Sequence, residues 1–319
     1  MSHCIGLPFY IIINLMIMDK RIYINGRFLT QDLSGVQRHA FELSKYISNY
    51  FKEKIIILVP KNLIIKENYN FSFNVVKIGN NKGHLWEQID LPRYLNIRGK
   101  PLLINLTNSA PIFYINKIST IHDLSVYENK EWFSLSYRVL YKILLPRIIN
   151  TSKKILTDSM FTKKEIIKRF KISKDKINIV HCGNSFNKDE IDKIKKNKFN
   201  KNYILYVGSI SERKNLTSLI NAFTKINNNN LKLKIVGCTY SHIKSTNIKT
   251  NNNIEYLGYV KDKELMSLYL NAEFLVFPSF YEGFGIPPLE AMSCDCPVIA
   301  SDIPVIKEIY QDAVLLINP

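Results

Sequence analysis

The stretch Phe277–Ala300 reads FPSFYEGFGIPPLEAMSCDCPVIA and decides how the second half of the chain is interpreted. It opens with an apolar run typical of a buried strand, and the loop after it carries Glu282. Gly283 and Gly285 leave the backbone free to approach a ligand closely. Pro287 suits the first turn of a helix, where its missing N–H would have no intrahelical partner. The stretch therefore predicts a strand, a glycine loop and a helix in succession.

Two carboxylates accompany this helix start. Glu282 precedes it, and Glu290 is expected in or near the first turn. A helix N-terminus offers unpaired N–H donors and a partial positive charge, which suit a diphosphate or a sugar hydroxyl. Each glutamate alone has a structural explanation, Glu290 as a complement to the helix dipole and Glu282 as a solvated loop residue. Together they favour a site for hydroxyl pairs, as found on sugars and riboses.

A second patch follows the strand that ends at Tyr206-Val207-Gly208. Arg213 and Lys214 come directly before the next predicted helix. Two cations at a helix start can hold a diphosphate, the arginine as a fork and the lysine as a point charge. In isolation such a pair is more often surface charge; its position after this strand favours a functional role.

Strand and helix patterns alternate along the whole chain, which favours two doubly wound α/β domains with parallel sheets. The polar, Lys- and Asn-rich segment 186–200 is expected to be the linker between residues 19–185 and residues 201–319. Ligands of such sheets bind beyond the carboxyl ends of the strands, so the facing edges of two sheets are expected to form a cleft. The predicted strands are 21–25, 54–59, 102–106, 118–122, 154–158 and 177–181 in the first domain, and 203–207, 231–236, 254–256, 274–277 and 297–300 in the second.

Residues 1–18 form an additional apolar segment before this pattern begins. Its apolar run, Ile5–Met18, is too short to span a bilayer, and it lacks the basic start and cleavage site of a secretory signal. Met18 is therefore expected to be the natural start. A short interfacial membrane anchor is the alternative.

The net charge of +17 is the unusual feature of the composition. It predicts either attraction to an anionic surface, such as phospholipid headgroups, or only a lysine-rich solvated surface. No zinc-finger spacing, RNP-like run or basic-region heptad indicates a specific nucleic-acid partner. Cys294 and Cys296 are too closely spaced for a usual zinc pair, so reduced thiols are expected.

The frame set by Glu282 and Glu290, E-G-F-G-x-P-x-x-E-A-M, resembles the mark of the retaining glycosyltransferases of family 4, the glycosyl transferases group 1, which have the GT-B fold. The resemblance implies that Glu282 holds hydroxyls of a donor sugar and Glu290 the ribose of its nucleotide. Backbone N–H groups near Phe284 and Gly285 would bind sugar or phosphate. Asp295 departs from the pattern, since the family commonly has glycine there, and this departure concerns the end of the helix.

The same family carries a strand, a glycine and an Arg-Lys pair that stabilises the leaving nucleoside diphosphate, and Gly208, Arg213 and Lys214 match these positions. In the first half, Gly35 matches one glycine of a loop that faces acceptor or phosphate. His122 matches a histidine near the donor sugar, although a histidine at a strand end is as often structural. The segment from Gly83 to Glu87 and the Thr157-Asp158-Ser159 segment are also similar to the family, without an implied role.

The resemblance implies a retaining hexosyl transfer without a cofactor or metal, from a UDP- or GDP-linked sugar to a growing glycan or lipid-linked acceptor. It places the enzyme in the cytoplasm, peripherally at the inner face of the plasma membrane. No Asp-x-Asp metal motif, dinucleotide fingerprint, Walker motif or hydrolase elbow competes with this interpretation. A catalytically inactive homologue that binds sugar or lipid is the alternative. Because family members continue with further helices, the chain ending at Pro319 is expected to lack the final helical segment.

Overall fold

A computed structural model describes residues 21–65, 73–184, 186–195, 202–226, 228–239 and 252–319. The chain divides into two compact units. The first contains the described residues up to Leu124 together with Leu140–Cys182, and the second contains Ser125–Val139 together with Gly183–Pro319. The boundaries expected at 19–185, 186–200 and 201–319 stay a prediction, to which the structure adds that 125–139 groups with the second unit.

The first unit is built on a seven-stranded sheet in which every neighbouring pair is parallel. Its order is β3-β2-β1-β4-β5-β6-β7, so the order reverses between the adjacent strands β1 and β4. The strands are β1 (Ile22–Asn25), β2 (Ile55–Pro60), β3 (Val75–Ile78), β4 (Leu102–Asn105), β5 (Lys117–Thr120), β6 (Lys154–Thr157) and β7 (Ile177–Ile179).

Helices cover both faces of this sheet. All six residues of β2 are buried, as expected for a β-branched run in a parallel sheet covered on both sides. Helix Gly35–Phe51 packs on the sheet through Ala40, Ile47 and Phe51, spaced as one helical face. The other helices are Gly83–Leu85, the π-turn Trp86–Asp90 and Leu91–Asn96, which follow one another directly, then Leu135–Thr151, which starts in the second unit, and Met160–Phe170.

The second unit contains a six-stranded parallel sheet in the order β10-β9-β8-β11-β12-β13, with its reversal between β8 and β11. Its strands are β8 (Tyr203–Val207), β9 (Lys232–Val236), β10 (Ile254–Gly258), β11 (Phe274–Phe277), β12 (Val298–Ser301) and β13 (Leu315–Ile317). Its helices are Lys188–Lys195, Leu216–Phe223, Asp262–Asn271, Ile286–Ser293 and Pro304–Tyr310. The prediction of two doubly wound parallel-sheet domains is thus confirmed.

Helix Leu216–Phe223 is amphipathic. Leu216, Leu219, Ile220 and Phe223 are all buried in one hydrophobic core with residues of β8 and β9. The predicted linker is partly helical, since Lys188–Lys195 forms a helix that buries Ile191.

The segment Ser125–Val139 contacts the rest of the second unit through Trp132. The buried Trp132 ring lies 6.2 Å from the ring of Tyr281, which is also buried and directly precedes Glu282. A segment far away in sequence therefore supports the loop that follows β11.

The N-terminal segment 1–18, with the expected start at Met18, lies outside the described residues. Within the part of the chain that is described, none of the helices combines the length and apolar character needed to cross a bilayer.

Lys117 is a fully buried lysine at the start of β5. Its Nζ donates to the Thr151 hydroxyl at 2.6 Å and to the Tyr114 carbonyl at 2.5 Å. Burial, and then the charge of Lys176, lower the pKa of Lys117 from 10.5 to about 7. The unfolded chain therefore binds more protons than the folded chain between these values, and stability should rise with pH across that window.

We expect Lys117→Met to remove this rise. The free energy of unfolding of the wild type, minus that of the variant, should increase from about pH 7 to about pH 9, by up to about 1.4 kcal/mol per pH unit. Denaturant titrations at both pH values measure the difference. The exposed neighbour Lys153, replaced by methionine, is the matched control. A difference that does not change with pH would show that Lys117 is charged in the folded state.

Candidate functional site

The carboxyl ends of β8 and β11 meet where the strand order of the second sheet reverses, which is where open α/β sheets bind ligands. Arg213 and Lys214 lie in the 3-10 turn Glu212–Lys214 that follows β8. Glu282 lies in the loop that follows β11. The fold therefore brings together two cations and a carboxylate that are 68 and 69 residues apart in sequence.

Glu282 binds both cations. Lys214 Nζ donates to Glu282 Oε1, and Arg213 Nη1 donates to Glu282 Oε2 at 3.2 Å. The same Arg213 nitrogen donates to the Tyr281 carbonyl at 2.7 Å, and Phe280 N–H donates to the Arg213 carbonyl at 2.9 Å. These bonds fix the turn after β8 to the loop after β11.

The charge of Glu282 is stabilised by its partners. Burial alone would raise the pKa of this carboxyl, but the charges of Lys214 and Arg213 outweigh burial and hold the pKa below its usual value. Lys214 Nζ also lies 5.0 Å from the centre of the Phe277 ring, a cation–π contact. The site therefore contains a buried carboxylate and two cations at neutral pH.

Gly208 lies directly after β8, where two backbone segments approach each other closely. Its N–H donates to the Val236 carbonyl at 3.0 Å. A Cβ atom on Gly237 would lie 1.8 Å from the Gly208 carbonyl oxygen, and Gly237 has a φ of +142°. Gly237, which sequence reasoning did not single out, is therefore required at this position by both space and backbone conformation.

Gly285 forms the entry to helix Ile286–Ser293. Its φ of +99° is in the left-handed region, and its carbonyl accepts a hydrogen bond from the Tyr310 hydroxyl. The helix begins at Ile286 and has Pro287 in its first turn, as the sequence predicts. Gly283 and Phe284 lie in the loop just before it, as expected.

Glu290 is the fifth residue of this helix, one position beyond the first turn. It is buried, and its Oε2 accepts a hydrogen bond from the Tyr269 hydroxyl at 3.0 Å. Burial, and then the charge of Glu290, raise the pKa of Tyr269 well above its usual value, so this tyrosine remains a donor. Tyr269 was not predicted, because nothing in the spacing of the sequence connects it with Glu290.

The backbone conformation at the end of this helix explains why Asp295 can stand where the family commonly has glycine. The helix ends at Ser293, and Asp295 has a φ of +52°, which glycine adopts freely and aspartate tolerates better than most residues. Its carboxylate accepts a hydrogen bond from Lys195, which lies at the end of helix Lys188–Lys195.

In the first unit, His122 is buried and both of its ring nitrogens are engaged. Nδ1 lies 2.7 Å from Asp158 Oδ2, and Nε2 lies 3.0 Å from the Leu106 carbonyl. Burial alone would lower the pKa of His122, but the charge of Asp158 outweighs it and the pKa is raised. A direct bond from this ring to a sugar would require one of these bonds to break, so the catalytic role of His122 stays a prediction.

His39 accompanies this pair, and sequence reasoning did not identify it. Its ring centre lies 5.2 Å from that of His122, and burial lowers the pKa of His39 to about 4. In the described part of the chain, His39, His122 and Asp158 are the one group close enough to share a metal ion, with ligand atoms within 4.8 Å of one another. Asp158 Oδ2 is already committed to His122.

Gly35 is the first residue of helix Gly35–Phe51, with Ser34 as the preceding cap position. The predicted glycine loop is therefore the start of this helix. The structure thus places the candidate residues in two groups, Arg213, Lys214, Glu282 and their neighbours in the second unit and His122 and Gly35 in the first.

Comparisons with known proteins agree with this architecture. Residues 187–319 match the family model described as glycosyl transferases group 1, and this range contains Arg213, Lys214, Glu282 and Glu290. The chain is 33% identical over 225 residues to the O-antigen chain mannosyltransferase RfbU of Salmonella typhimurium, covering 69% of this chain and 61% of that protein. It is 31% identical over 231 residues to the O-antigen chain mannosyltransferase B of Escherichia coli, covering 66% and 60%. The chain thus spans about three fifths of the length of these relatives.

Solved structures share the fold at low sequence identity. HepE of Anabaena, in complex with UDP and glucose, is similar with a TM-score of 0.67 at 14% identity, covering 94% of this chain and 86% of that chain. WaaG, a glycosyltransferase involved in lipopolysaccharide biosynthesis, gives a TM-score of 0.65 at 14% identity, covering 88% and 81%. The sucrose-phosphate synthase of Thermosynechococcus elongatus gives 0.66 at 17% identity, covering 93% and 85%.

Proposed function

We propose that this chain transfers a hexose from a nucleotide sugar to a growing cell-surface glycan. Residues 187–319 match the model of the glycosyl transferases group 1, and the two units have the GT-B glycosyltransferase fold. The observation that carries the proposal is Glu282 held between Arg213 and Lys214 at the carboxyl ends of β8 and β11. A diphosphate and a sugar hydroxyl are the ligands that this combination of charges suits.

Each group has a role in this proposal. Arg213 and Lys214 bind the diphosphate, and Glu282 accepts hydrogen bonds from hydroxyls of the donor sugar. Glu290 binds the ribose, while Gly208 and the loop Gly283–Gly285 bring backbone close to the donor. The two cations already share Glu282, so the diphosphate competes with this carboxylate for them when the donor binds.

The reaction follows from the charges that develop. The bond between the anomeric carbon and the diphosphate oxygen breaks, and the acceptor oxygen forms a bond to the same face of that carbon. The acceptor proton passes to an oxygen of the departing diphosphate. Arg213 and Lys214 stabilise the negative charge that accumulates there, so the mechanism is electrostatic and retains the anomeric configuration.

The names of the relatives suggest the substrates. Because RfbU is named as an O-antigen chain mannosyltransferase, GDP-mannose is the first donor to test, followed by UDP-hexoses. The acceptor is a growing glycan, free or lipid-linked, on the cytoplasmic side of the membrane. The net charge of +17 suits peripheral contact with an anionic bilayer.

Two measurements test the proposal. A thermal-shift screen of UDP, GDP and ADP identifies the base, since a ligand at 100 times its Kd adds about 2.7 kcal/mol to stability. Transfer of radiolabel from the matching nucleotide sugars to a membrane glycolipid fraction then tests turnover. Binding without transfer from any donor would favour the alternative of an inactive sugar-binding homologue, and no binding of any nucleotide would overturn the donor site.

We expect transfer to persist in excess EDTA. A basic pair occupies the position from which the diphosphate is neutralised, and no Asp-x-Asp is present in the sequence. Initial rates before and after chelation, with and without added Mg²⁺ or Mn²⁺, provide the measurement. Complete loss in EDTA with recovery on metal addition would contradict a metal-independent mechanism.

A further inference from the structure

The geometry points to a second binding site, in the first unit, formed by His84 and Glu87. We propose that His84 accepts a hydrogen bond from a hydroxyl of the acceptor glycan and that Glu87 positions the His84 ring for this contact. The proposal rests on the proposed function and deepens it by assigning the acceptor side.

The location is the point where the strand order of the first sheet reverses, at the carboxyl ends of β1 and β4. Asn25 ends β1, Arg27 follows it, and Asn105 ends β4. This is the position in the first sheet that Arg213, Lys214 and Glu282 occupy in the second. A buried polar cluster therefore lies at the ligand-binding edge of each sheet.

One oxygen of Glu87 holds this cluster together. Glu87 is fully buried, and its Oε1 accepts hydrogen bonds from Asn25 Nδ2 at 2.7 Å and from the Ser109 hydroxyl at 2.9 Å. Arg27 Nε lies 3.4 Å from the same oxygen, and Arg27 Nη2 donates to Ser109 at 2.7 Å. The charge of Glu87 is thus compensated by Arg27.

The other oxygen faces His84. Glu87 Oε2 lies 3.3 Å from His84 Nδ1, on the preceding turn. Both atoms are buried and neither makes a hydrogen bond with the described residues, so the contact between them is electrostatic. Burial alone would raise the pKa of Glu87, but Arg27, His84 and Asn25 hold it at about 2. A permanent carboxylate at this point keeps the proton of a neutral imidazole on Nδ1, which leaves Nε2 with a lone pair. Glu87 therefore prepares His84 Nε2 as a hydrogen-bond acceptor.

The exposed part of the pair belongs to His84. Its side chain is 31% exposed while that of Glu87 is 0% exposed. Since His84 Nδ1 itself is buried, the exposure falls on the other atoms of the side chain. The His84 ring makes an edge-to-face contact with the ring of Tyr141, with 5.9 Å between the ring centres, and this contact limits the movement of the His84 ring. A ligand can therefore reach His84 and not Glu87.

The helix that carries the pair is unusual and firmly anchored. Glu87 lies in the π-turn Trp86–Asp90, a rare widening of a helix that occurs frequently at functional sites. The fully buried Trp86 fixes the turn, because its Nε1 donates to the Ile78 carbonyl at 2.8 Å. A sugar hydroxyl is the ligand class that fits, since the carboxylate is already neutralised and the open ring atom is an acceptor.

Steady-state kinetics test the proposal. We expect His84→Ala to lower kcat/KM for the acceptor up to roughly tenfold, the value of one hydrogen bond, with the KM for the donor unchanged. Glu87→Gln should give a similar loss, because a glutamine amide can donate to Nδ1 and move the ring proton to Nε2. The double variant should then be no worse than His84→Ala, since both changes remove one contact. Leu85→Ala, at the exposed neighbouring position, is the control.

A purely structural cluster would give a different pattern. In both single variants it would leave the KM values of acceptor and donor in their wild-type ratio, and that result would overturn the proposal. A lower melting temperature of Glu87→Gln is expected in either case, because Arg27 then loses its buried charge partner. Unchanged acceptor kinetics in an active His84→Ala enzyme would also overturn the proposal. That outcome would leave the proposed function intact.

An NMR titration separates the two proposals, because it needs no turnover. In protein labelled with 13C-histidine, His84→Ala identifies the His84 signal. Methyl glycosides of mannose, glucose, galactose, rhamnose and N-acetylglucosamine are then added up to their solubility limits. At least one should shift the His84 signal saturably, even if donor assays fail. A signal that none of them moves would overturn the assignment of His84.

Discussion

The Glu282→Gln variant is expected to lose about a hundredfold in turnover and to keep its affinity for the free nucleoside diphosphate. Glutamine preserves the shape of the side chain and removes the charge that, in the proposed mechanism, accepts hydrogen bonds from the donor sugar. Hydrogen bonds to charged groups contribute about 1.5–3 kcal/mol each, and a free diphosphate has no sugar at this point. The substitution also releases Arg213 and Lys214 from the carboxylate they share, so diphosphate affinity should not fall.

Turnover and nucleoside diphosphate affinity of this variant should be measured beside those of Arg213→Ala and Lys214→Ala. These two variants should weaken the diphosphate itself, by about ten- to a hundredfold. Glu273→Gln, which alters an exposed carboxylate just before β11, is the matched control. A folded Glu282→Gln protein with normal turnover would show that Glu282 does not contact the donor.

Gly237→Ala is expected to lower the free energy of unfolding by about 3 kcal/mol or more. The new Cβ would lie 1.8 Å from the Gly208 carbonyl oxygen, and backbone atoms of β8 and β9 cannot move apart without breaking their ladder. The residue would also be forced to keep a φ of +142°, which side-chain-bearing residues rarely adopt.

Gly258→Ala measures the cost of a positive φ without a steric overlap, and so separates the two contributions to the loss of stability in Gly237→Ala. Gly258 has a φ of +67°, and a Cβ there would meet nothing within 4 Å, so the variant should lose only about 1 kcal/mol. Denaturant unfolding of both variants gives the comparison. Equal losses would mean that the close approach at Gly208 relaxes without cost.

Periodicity was sufficient to predict most strands of both sheets, because parallel strands buried on two sides give continuous apolar runs. β8 and β11 have the predicted bounds. β3 and the helices Gly83–Asn96 and Pro304–Tyr310 were not predicted. β3 is only partly buried, and the helical stretch Gly83–Asn96 contains a π-turn that disturbs the 3.6-residue repeat on which such a prediction depends.

The candidate site was predictable only where it is local in sequence. The sequence shows the spacing of the two glutamates and the adjacent Arg213-Lys214 pair. The contact of Glu282 with Arg213 and Lys214, nearly 70 residues away, depends on the strand order of the folded sheet. Tyr269 and the partners of Glu87 escaped prediction for the same reason. The roles assigned to these residues from the family resemblance stay predictions until the variants are measured.

The position of Trp132 has a practical consequence for dissecting this protein into expressible pieces. A fragment starting at Gly183 would contain all six strands of the second sheet and would lose the ring that packs on Tyr281. The loop bearing Glu282 would then be less constrained, and a low nucleotide affinity of such a fragment would reflect the truncation. Quantitative binding studies should therefore use a polypeptide that retains residues 125–139, even when only the second unit is of interest.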